Sequence, residues 1–469
     1  MIVNEHDLAI FSRRAVMGDS VKPATVFVRA GRILRVEPGE PPASTPLLVN
    51  AGEHVLMPGV IDAHVHVNEP GRTEWEGFRS AGRAAAAGGV TTMVVMPLNC
   101  TPAATSARAL AAEAASAAKS CAVDFGFWGG VVPGNLGELR AMWELGALGF
   151  KCFLVHSGVD DFPGVSKSEL EAAMPILREL GATLLVHAED PTVIEAAREP
   201  SGLARSPSSY AAYLASRPAA AEDFAVQMMV EMCRKTRARV HIVHVAAATA
   251  VPLIAKAKAE GLPVSAETCP HYLTLCAEDI EDGQTQFKCA PPIRDRATQD
   301  ALWRALGDGV LDLVASDHSP CPPELKLLEA GNFANAWGGI SSLQLTLPAL
   351  WTQAKACGFT PVDIARLLCA GPAKLAGIDG FKGKIAPGYD ADLVIWDPEA
   401  RWTVRGSALH HRHKLTPYDG RSVLGAVRAT FVRGKQVFGV PGAWAGFGAA
   451  VAEGFSQEAV GRWVKRSRE

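Results

Sequence analysis

The amino-acid sequence predicts an α/β fold: a (β/α)8 TIM barrel with a small β-sandwich domain built from both chain ends. Between about residues 56 and 320, eight apolar, β-rich runs alternate with longer segments rich in Ala, Leu and Glu. That alternation is typical of buried parallel strands joined by crossover helices, and eight such units favour a barrel. Residues 1 to about 55 and 385 to 440 instead carry short alternating runs with Gly turns, which indicate a small β-domain.

The eight predicted barrel strands are spread along the chain in a regular order. They are VLMPGVIDAHVHV, GVTTMVVMP, VDFGFWGGV, ALGFKCFLV, ATLLVHAED, RVHIVHVA, PVSAETC and VLDLVASDHSP. Segments between them, such as SARALAAEAASAAKS and AVPLIAKAKAEG, have the composition of helices. The predicted domains are a β-sandwich from residues 1–55 and 384–445, the barrel from 56–383, and a helical tail over 446–469.

Composition narrows the class of protein. The chain has 469 residues, 48% of them hydrophobic, and a formal net charge of −3. This charge gives no indication of nucleic-acid binding or of attraction to an acidic membrane. No apolar run reaches the ~20 residues that span a bilayer, and the start of the chain lacks a secretory h-region. Ten cysteines without a C-x-x-C pair are typical of free thiols, so we expect a cytoplasmic protein.

Polar residues stand at the ends of five predicted strands. The first ends in His64-Val-His66, and side chains two apart in a strand point to the same side. The other four strands carry, in chain order, Lys151, His187, His244 and Asp317. Taken singly, a strand histidine is more often an ordinary core or surface residue, and a lysine in an apolar run usually extends its amine to solvent. The joint pattern favours a site, because the carboxyl ends of barrel strands converge at one mouth.

These residue types point to a pair of metal ions. Burial lowers the pKa of an ammonium, and the neutral amine of Lys151 can then react with CO2 to form a carbamate, N6-carboxylysine, whose two oxygens can bridge two cations. Four histidines, one aspartate and this carbamate can hold two divalent ions per chain. Imidazole suits zinc, with cobalt, manganese or iron as alternatives. Two such ions lower the pKa of a shared water and polarise a carbonyl. Asp317 is the candidate catalytic base, able to pass the water's proton to a leaving nitrogen.

The remaining histidines are expected to have other roles. His241 lies three residues before His244 and is expected to face the opposite side of its strand. His271 in TCPHYL is expected to be structural, and His318 to support the neighbouring Asp317. Three more are expected on a solvated surface outside the barrel: His410, His411 and His413.

Seven motifs occur in order along most of the chain: PGVIDAHVHVNEPG, GFKCFL, LLVHAED, IVHVA, AETCPHYL, ASDHSPC and GYDADLVIWDP. Together they resemble the cyclic amidohydrolases, a group that includes dihydroorotases, hydantoinases or dihydropyrimidinases, and allantoinases. The resemblance covers roughly residues 50 to 440 and implies a metal-dependent barrel, a small β-sandwich, a carboxylated lysine between two metals, and a homotetramer. It maps the metal ligands onto the strand-end set: His64, His66, Lys151, His187, His244 and Asp317.

Within this group, NEPGRTEWEGF, CAPPIRD, and SDHSPCPPE followed by AWGGI are similar to segments of the allantoinases. That similarity implies a small-molecule substrate, the uncharged ureide allantoin, whose hydantoin ring is opened by hydrolysis to allantoate. The resemblance also implies substrate contacts at Asn99, at Ser319, and at the backbone of Cys289 and Gly338.

At two places the sequence differs from related cyclic amidohydrolases, and these differences help to choose among the possible activities. Asn68 stands where dihydroorotases usually have an arginine that pairs with the substrate carboxylate, and an amide cannot supply that bidentate cation. Hydantoinases usually have a tyrosine a few residues past the lysine that helps the oxyanion, whereas this chain has CFLVHSGVDDFP. In this chain His156, Ser157 or a metal ion would then have to stabilise the oxyanion. Hydantoinase or dihydropyrimidinase is the first alternative, and a non-catalytic scaffold with this fold is the second.

Overall fold

A computed structural model describes residues 6–42, 44–440, 454–456 and 458–466. The described strands fall into three groups along the chain. The first group is β1 (Leu8–Met17), β2 (Ser20–Arg29), β3 (Arg32–Pro38), β4 (Leu48–Asn50) and β5 (Val55–Pro58). The second is β6 (Val60–Val65), β7 (Val90–Val95), β8 (Asp124–Phe127), β9 (Gly129–Gly130), β10 (Phe150–Phe153), β11 (Thr183–His187), β12 (Arg239–Ile242), β13 (Val264–Thr268) and β14 (Leu313–Val314). The third is β15 (Leu393–Thr403), β16 (Ser422–Val432), β17 (Lys435–Gly439) and β18 (Gly454–Phe455).

The described α-helices follow or connect the strands of the second group, except for the last three, which lead back to the terminal sheet. They are α1 (Phe78–Ala87), α2 (Ala107–Ala117), α3 (Leu139–Leu145), α4 (Lys167–Leu180), α5 (Pro191–Arg198), α6 (Tyr210–Ser216), α7 (Ala219–Thr236), α8 (Val251–Ala259), α9 (Pro270–Thr274), α10 (Arg296–Gly307), α11 (Thr346–Ala356), α12 (Pro361–Ala365) and α13 (Gly371–Leu375). A π-helical turn, Arg366–Ala370, joins α12 to α13.

Both chain ends build one mostly antiparallel sheet, as the sequence predicts. Its strand order is β18-β17-β16-β15-β5-β1-β2-β3, with β4 paired to β1. The two ends of the chain join where β5 pairs antiparallel with β15, for example Leu56 with Ile395. Ile10, Leu56 and Phe431 belong to the apolar cluster of this layer. Residues 1–5, 43 and 441–445 of the predicted sandwich lie outside the described residues.

The middle of the chain forms two parallel sheets, β6-β7-β8 and β9-β10-β11-β12-β13-β14. Each of the eight predicted runs contains at least one of these nine strands, and the third run contains both β8 and β9, so the predicted parallel α/β pattern is confirmed. Hydrogen bonds also run between the sheets. The Leu148 amide donates to the Phe127 carbonyl over 2.9 Å, and the His66 amide donates to the His318 carbonyl over 2.8 Å. The second bond links the end of β6 to the segment that follows β14.

Side chains along the parallel strands alternate between two environments, as the two-residue period of a strand requires. Phe150 and Cys152 of β10 belong to the large apolar cluster shared with the helices. Leu185 of β11 belongs instead to a second cluster that contains Trp128. Lys151 lies between Phe150 and Cys152 in sequence, so its side chain leaves β10 on the face away from the helices.

Helix caps fix the loops that follow the strands. Asp190, three residues past His187, accepts hydrogen bonds from the amides of Thr192 and Val193 and so begins α5. Ser166 and Glu169 form a reciprocal capping box that begins α4. These caps end the loops after β10 and β11 at defined residues, close to the strand tips that carry the candidate site.

The C-terminal segment differs from the predicted helical tail. Residues 446–453, 457 and 467–469 of that tail lie outside the described residues, and the described part of the tail contains strand β18 and no helix. The Val464 amide donates to the Phe125 carbonyl over 2.7 Å, so the segment runs extended beside β8. A Cβ at Gly461 would lie 2.1 Å from the Val123 carbonyl oxygen, an approach that only glycine permits. The helix prediction is wrong here because the backbone groups pair with a strand.

All ten cysteines are free thiols, as predicted, and nine of them are buried. In the part of the chain that the structure describes, no helix combines the length and the apolar character needed to cross a bilayer.

Candidate active site

A cavity of about 410 Å³ lies at the carboxyl ends of the parallel strands. The structure brings five of the six predicted metal-site residues to its wall: His64, His66, His187, His244 and Asp317. All four predicted substrate contacts also line it: Asn99, Cys289, Ser319 and Gly338. Lys151 does not line the cavity, because its side chain is fully buried.

The first group of possible ligands contains His64, His66 and Asp317. The Nε2 atoms of the two histidines lie 3.4 and 3.6 Å from Oδ1 of Asp317. Two ligands at ~2.1 Å from a tetrahedral zinc are about 3.4 Å apart, so one ion fits among these atoms. Burial lowers the pKa of His66 to about 3, so this imidazole is neutral and has a lone pair to offer. Burial alone would raise the pKa of Asp317, but the two imidazoles hold it below the usual value.

The second group contains His187 and His244. Nδ1 of His187 lies 3.0 Å from Nε2 of His244. Nε2 of His187 donates to Oε2 of Glu189 over 2.7 Å, which leaves the Nδ1 lone pair facing His244. Burial lowers the pKa of both histidines. Nδ1 of His244 is buried without a hydrogen-bond partner among the described residues.

Lys151 is a buried amine with no hydrogen-bond partner among the described residues. Its Nζ lies 5.0 Å from the centre of the Phe153 ring. Burial lowers the pKa of Lys151 to about 8, although Glu267 and Asp317 act in the opposite direction. After burial, the charge of Lys151 is one of the influences that lower the pKa of His66, His187 and His244. The Phe153 ring beside the amine stacks on His187, with centroids 4.5 Å apart. A buried amine that has no partner in the described part of the chain suits a lysine that carries a carbamate.

Two buried carboxylates orient the histidines, and no pattern in the sequence marks either of them. Oε1 of Glu267 accepts from Nδ1 of His64 over 2.6 Å. Glu189 binds His187 and also accepts two hydrogen bonds from the guanidinium of Arg217. Burial would raise the pKa of Glu189, but Arg217 and His187 hold it well below its ordinary value. Carboxylates of this kind fix the tautomer of an imidazole and so select the nitrogen that remains for a metal.

His241 is not turned away from the site, contrary to the prediction. Its Nε2 lies 3.1 Å from Oε2 of Glu267, so it belongs to the hydrogen-bond chain that supports His64. The prediction assumed regular strand geometry up to His244. Strand β12 ends at Ile242, and His244 has a φ of 40°. The turn in the backbone changes the side to which His244 points relative to His241.

Several site residues have the left-handed backbone conformation that non-glycine residues rarely adopt. The φ angles are 40° for His244, 45° for Asp317 and 73° for Asn99. Such conformations cost about 1–3 kcal/mol each and cluster at functional sites. Their occurrence at two of the possible ligands is consistent with side chains held in place for binding.

The predicted substrate contacts have identifiable neighbours. The Ser319 hydroxyl donates to Oδ1 of Asp317 over 2.9 Å, so Ser319 also orients that carboxylate. The Tyr213 hydroxyl donates to the Cys289 carbonyl over 2.7 Å and fixes the adjacent peptide. A Cβ at Gly338 would lie 3.9 Å from Cα of Cys289, so the two predicted backbone contacts are neighbours. Nδ2 of Asn99 lies 3.3 Å from Nδ1 of His66.

The two departures from the relatives are visible in the structure. Asn68 is buried, donates to the Pro320 carbonyl over 3.4 Å and does not line the cavity. Both His156 and Ser157 line the cavity. The Ser157 hydroxyl donates to the Phe162 carbonyl over 2.6 Å, while His156 is exposed and lies 3.5 Å from Asp160.

Other cavity residues were not found from the sequence: Phe153, Tyr213, Arg217, Lys288 and Trp337. Phe153 could have been found, since it lies two residues past Lys151 and therefore on the same side of β10. Its ring stacks on His187 with centroids 4.5 Å apart. The other four come from helices or loops. No local pattern marks Tyr213, Arg217 or Lys288, and Trp337 lies in the AWGGI segment without being singled out there.

The ring of His318 is held by other residues: its Nδ1 accepts from the amides of Ser342 and Leu343 over 3.1 and 3.3 Å, and its Nε2 lies 3.4 Å from Oε2 of Glu76. The expected support of Asp317 by His318 therefore stays a prediction. His411 is not on a solvated surface, contrary to the prediction. It is fully buried, with its ring 5.7 Å from that of His318. The loop that carries it packs against the region behind the site, because the amide of the next residue, Arg412, donates to buried Glu76.

The donor atoms therefore fit divalent cations. Imidazoles and a carboxylate are grouped at hydrogen-bond to ion-pair distances. Lys151 and His244 each have a buried nitrogen that finds no hydrogen-bond partner in the part of the chain that the structure describes. Buried polar atoms without partners are costly, and a bound ion with its bridging anion would satisfy them.

Comparisons with known proteins show the family to which the chain belongs. A model of the amidohydrolase family matches residues 55–437. The chain is 46% identical over 437 residues to the allantoinase of Streptomyces avermitilis, covering 93% of this chain and 96% of that relative. It is 42% identical over 443 residues to the allantoinase of Saccharomyces cerevisiae, covering 92% and 95%. The solved L-hydantoinase (dihydropyrimidinase) of Arthrobacter aurescens superposes with a TM-score of 0.91 at 32% identity, over 98% of this chain and 100% of that one. The chain belongs to the amidohydrolase family.

Proposed function

We propose that this chain is a hydrolase of cyclic amides that opens the hydantoin ring of allantoin to give allantoate. One observation carries the proposal: a single cavity gathers His64, His66 and Asp317 with the His187–His244 pair. The buried amine of Lys151 has no hydrogen-bond partner among the described residues. Similarity to curated allantoinases over more than nine-tenths of the chain supports allantoin among the cyclic amides.

The residues suit two divalent ions per chain. His64, His66 and Asp317 would hold one ion, and His187 and His244 the other. Lys151, as N6-carboxylysine, would lie between them and supply one oxygen to each. Zinc suits this set of imidazole and oxygen ligands, with cobalt, manganese or iron as alternatives. When bound, the ions would supply a water of lowered pKa and polarise the amide carbonyl.

Asp317 is the proposed catalytic residue. Its carboxylate would take a proton from the attacking water and deliver it to the ring nitrogen as the C–N bond breaks. The new C–O bond turns the ring carbonyl into a carboxylate, and the released nitrogen becomes part of an open-chain ureide. Ser319 supports this role, since its hydroxyl donates to Asp317 and limits rotation of the carboxylate.

Substrate binding is proposed for Asn99, Ser319 and the backbone of Cys289 and Gly338, all of which line the cavity. Allantoin has several amide and ureido groups, so neutral donors and acceptors suit it. Tyr213 holds the Cys289 peptide in place through its hydroxyl, which would keep the backbone contact rigid. Asn68 does not line the cavity, which counts against recognition of a carboxylate there in the manner of a dihydroorotase.

The proposal extends to the fold, the assembly and the location of the protein. We infer that the two parallel sheets close into one (β/α)8 barrel over about residues 56–383. The hydrogen bonds between Leu148 and Phe127 and between His66 and His318 support closure. The terminal sheet is then the β-sandwich domain. The family resemblance supports a homotetramer, which light scattering tests, and ten free thiols support a cytoplasmic location.

A direct comparison of substrates tests the proposed function. Purified protein with added zinc, manganese or cobalt would be assayed on allantoin, hydantoin and dihydrouracil under one set of conditions. We expect the highest kcat/KM for allantoin. The main alternative, a hydantoinase, is favoured by the close superposition on the L-hydantoinase structure. Turnover of hydantoin equal to or faster than that of allantoin would reject our substrate assignment.

A further inference from the structure

A second cluster of possible ligands adjoins the site, and two of its three residues, Cys269 and His271, take no part in the proposed reaction. Cys269, His271 and Asp317 each offer one ligand atom, and these atoms all lie within 4.8 Å of one another. All three residues are buried. Only Asp317 also belongs to the group with His64 and His66. A carboxylate has two oxygens, so one aspartate can serve both groups.

His271 is not explained by a structural role. It is fully buried, yet neither of its ring nitrogens has a hydrogen-bond partner among the described residues. Leaving a buried polar group unpaired costs about 1–3 kcal/mol, and the cost persists only where something else compensates. An imidazole ring has a nitrogen with a lone pair, and a buried ring nitrogen that has no partner in the described part of the chain can bind a metal ion.

The fold explains why these residues meet. Cys269 directly follows β13 (Val264–Thr268), at the same end of the parallel sheet as the candidate site. It precedes the short helix α9, which begins at Pro270 and has His271 in its first turn. Asp317 follows the neighbouring strand β14, which pairs with β13. Strand pairing and a helix start therefore bring a thiol, an imidazole and a carboxylate together.

We propose that Cys269, His271 and Asp317 form a further metal site for a thiophilic divalent ion, zinc or cadmium, beside the two-ion centre. Thiolate, imidazole and carboxylate are all zinc ligands, and sulfur selects zinc or cadmium over magnesium and manganese. Binding breaks the S–H bond of Cys269, forms a sulfur–metal bond and releases the proton to solvent. Burial, with the negative charges of Asp317 and Glu267, raises the pKa of this thiol, so the ion must displace its proton.

Occupancy of this further site would inhibit the reaction. An ion bound to Cys269 and His271 would also be bound by the carboxylate of Asp317. That carboxylate would then be unable to transfer the proton in the reaction. Zinc beyond the two equivalents of the proposed centre should therefore slow turnover. This consequence rests on the proposed role of Asp317, whereas the existence of the site does not.

Cobalt gives a readout that is independent of catalysis. The proposed two-ion centre has only nitrogen and oxygen ligands, so a sulfur-to-cobalt charge-transfer band in the near ultraviolet would report the further site alone. Metal-free protein would be titrated with Co²⁺ past two equivalents. We expect the band with the wild-type chain and its loss in Cys269→Ser. In His271→Gln, cobalt binding at this site should be about tenfold weaker or more.

Cys289→Ser is the matched control, because Cys289 is another buried cysteine and lines the neighbouring active-site cavity. It should keep the band. Absence of the band in the wild-type protein at saturating cobalt, or its persistence in Cys269→Ser, would overturn the site. The titration of the wild-type protein shows whether the band forms at all, even if a variant fails to fold. If the band forms and excess zinc leaves allantoin turnover unchanged, the inhibitory role of the site is overturned.

Discussion

Oε1 of Glu267 lies 2.6 Å from Nδ1 of His64, and the carboxylate's other oxygen lies 3.1 Å from Nε2 of His241. Glu267 is fully buried at the end of β13, while His64 comes from the first strand of the parallel region. This single carboxylate fixes the tautomer of His64 and leaves its Nε2 directed at Asp317. The geometry of the first ligand group thus depends on a residue about 200 positions away in the chain.

Glu267→Gln should weaken metal binding more than it weakens the fold. The amide offers one oxygen in place of two and no negative charge, so it cannot support both His64 and His241. Loss of such a partner typically lowers metal affinity about 10- to 100-fold. Chelator competition on purified protein measures this effect.

Glu222→Gln is the matched control, since Glu222 is equally buried but accepts hydrogen bonds from the amides of Ala246 and Ala247 and from Arg294. It should lower stability and leave metal affinity nearly unchanged. Equal metal affinity in Glu267→Gln and wild type would show that the carboxylate does not orient the ligand.

Asp317→Asn should retain more metal than activity. The amide oxygen can still ligate an ion, but the side chain can no longer accept the proton of the attacking water. We expect kcat to fall by about 10²–10⁴-fold while metal content, measured by mass spectrometry, falls far less. Near-normal turnover in this variant would make the base assignment wrong.

Lys151→Ala should lose metal and activity together, because the bridging anion disappears with the amine. Free acetate or another short carboxylate should not fully restore either one. In the wild-type chain, reactivation of the metal-free protein should depend on bicarbonate, since the carbamate forms from CO2. Full reactivation in carefully CO2-depleted buffer would contradict the role given to Lys151.

The sequence was sufficient for the parts of the site that follow strand periodicity. The histidine pair at 64 and 66 and the residues that follow or end β11 and β14 stand where buried apolar runs end, and Lys151 interrupts such a run, all of which a single sequence displays. Glu267, Glu189 and Arg217 could not be found in this way. Their roles depend on which side chains face one another across different strands and helices.

The other predictions that proved wrong have local physical causes. The positive φ of His244 breaks the two-residue period on which the placement of His241 relied. The C-terminal segment forms strand pairs because an unpaired strand edge was available to it, a fact that its own composition does not reveal. His411 is buried by a loop that packs behind the site, and a run of polar residues gives no sign of such tertiary packing.

Lys382 gives a prediction about stability. Its side chain is 1% exposed and forms ion pairs with Asp124 at 2.8 Å, with Asp390 at 3.2 Å and with Asp392. Lys382→Met would leave these carboxylates without their shared cation. We expect a loss of about 3–5 kcal/mol in the free energy of unfolding by urea. Lys374→Met, an exposed lysine on α13, is the control and should change stability little.

The same ion pairs predict a dependence on pH. Burial alone would lower the pKa of Lys382, but the three carboxylates raise it above the ordinary value. The stabilisation is therefore fully present below about pH 10.4, the usual pKa of lysine in an unfolded chain. It is lost as the pH rises through the higher folded-state pKa. Urea midpoints of wild type and Lys382→Met should differ at pH 8 and converge at strongly alkaline pH. A constant difference across that range would contradict the assignment.

Turnover of allantoin by metal-free protein, measured after stepwise addition of zinc in bicarbonate buffer, tests the central claim most directly. If the two histidine groups, Lys151 and Asp317 form a two-ion hydrolytic centre, the metal-free chain should be inactive and kcat should rise to its maximum near two zinc ions per chain. Full turnover of allantoin without metal, or no turnover with two zinc ions bound, would contradict the proposal of a two-ion centre.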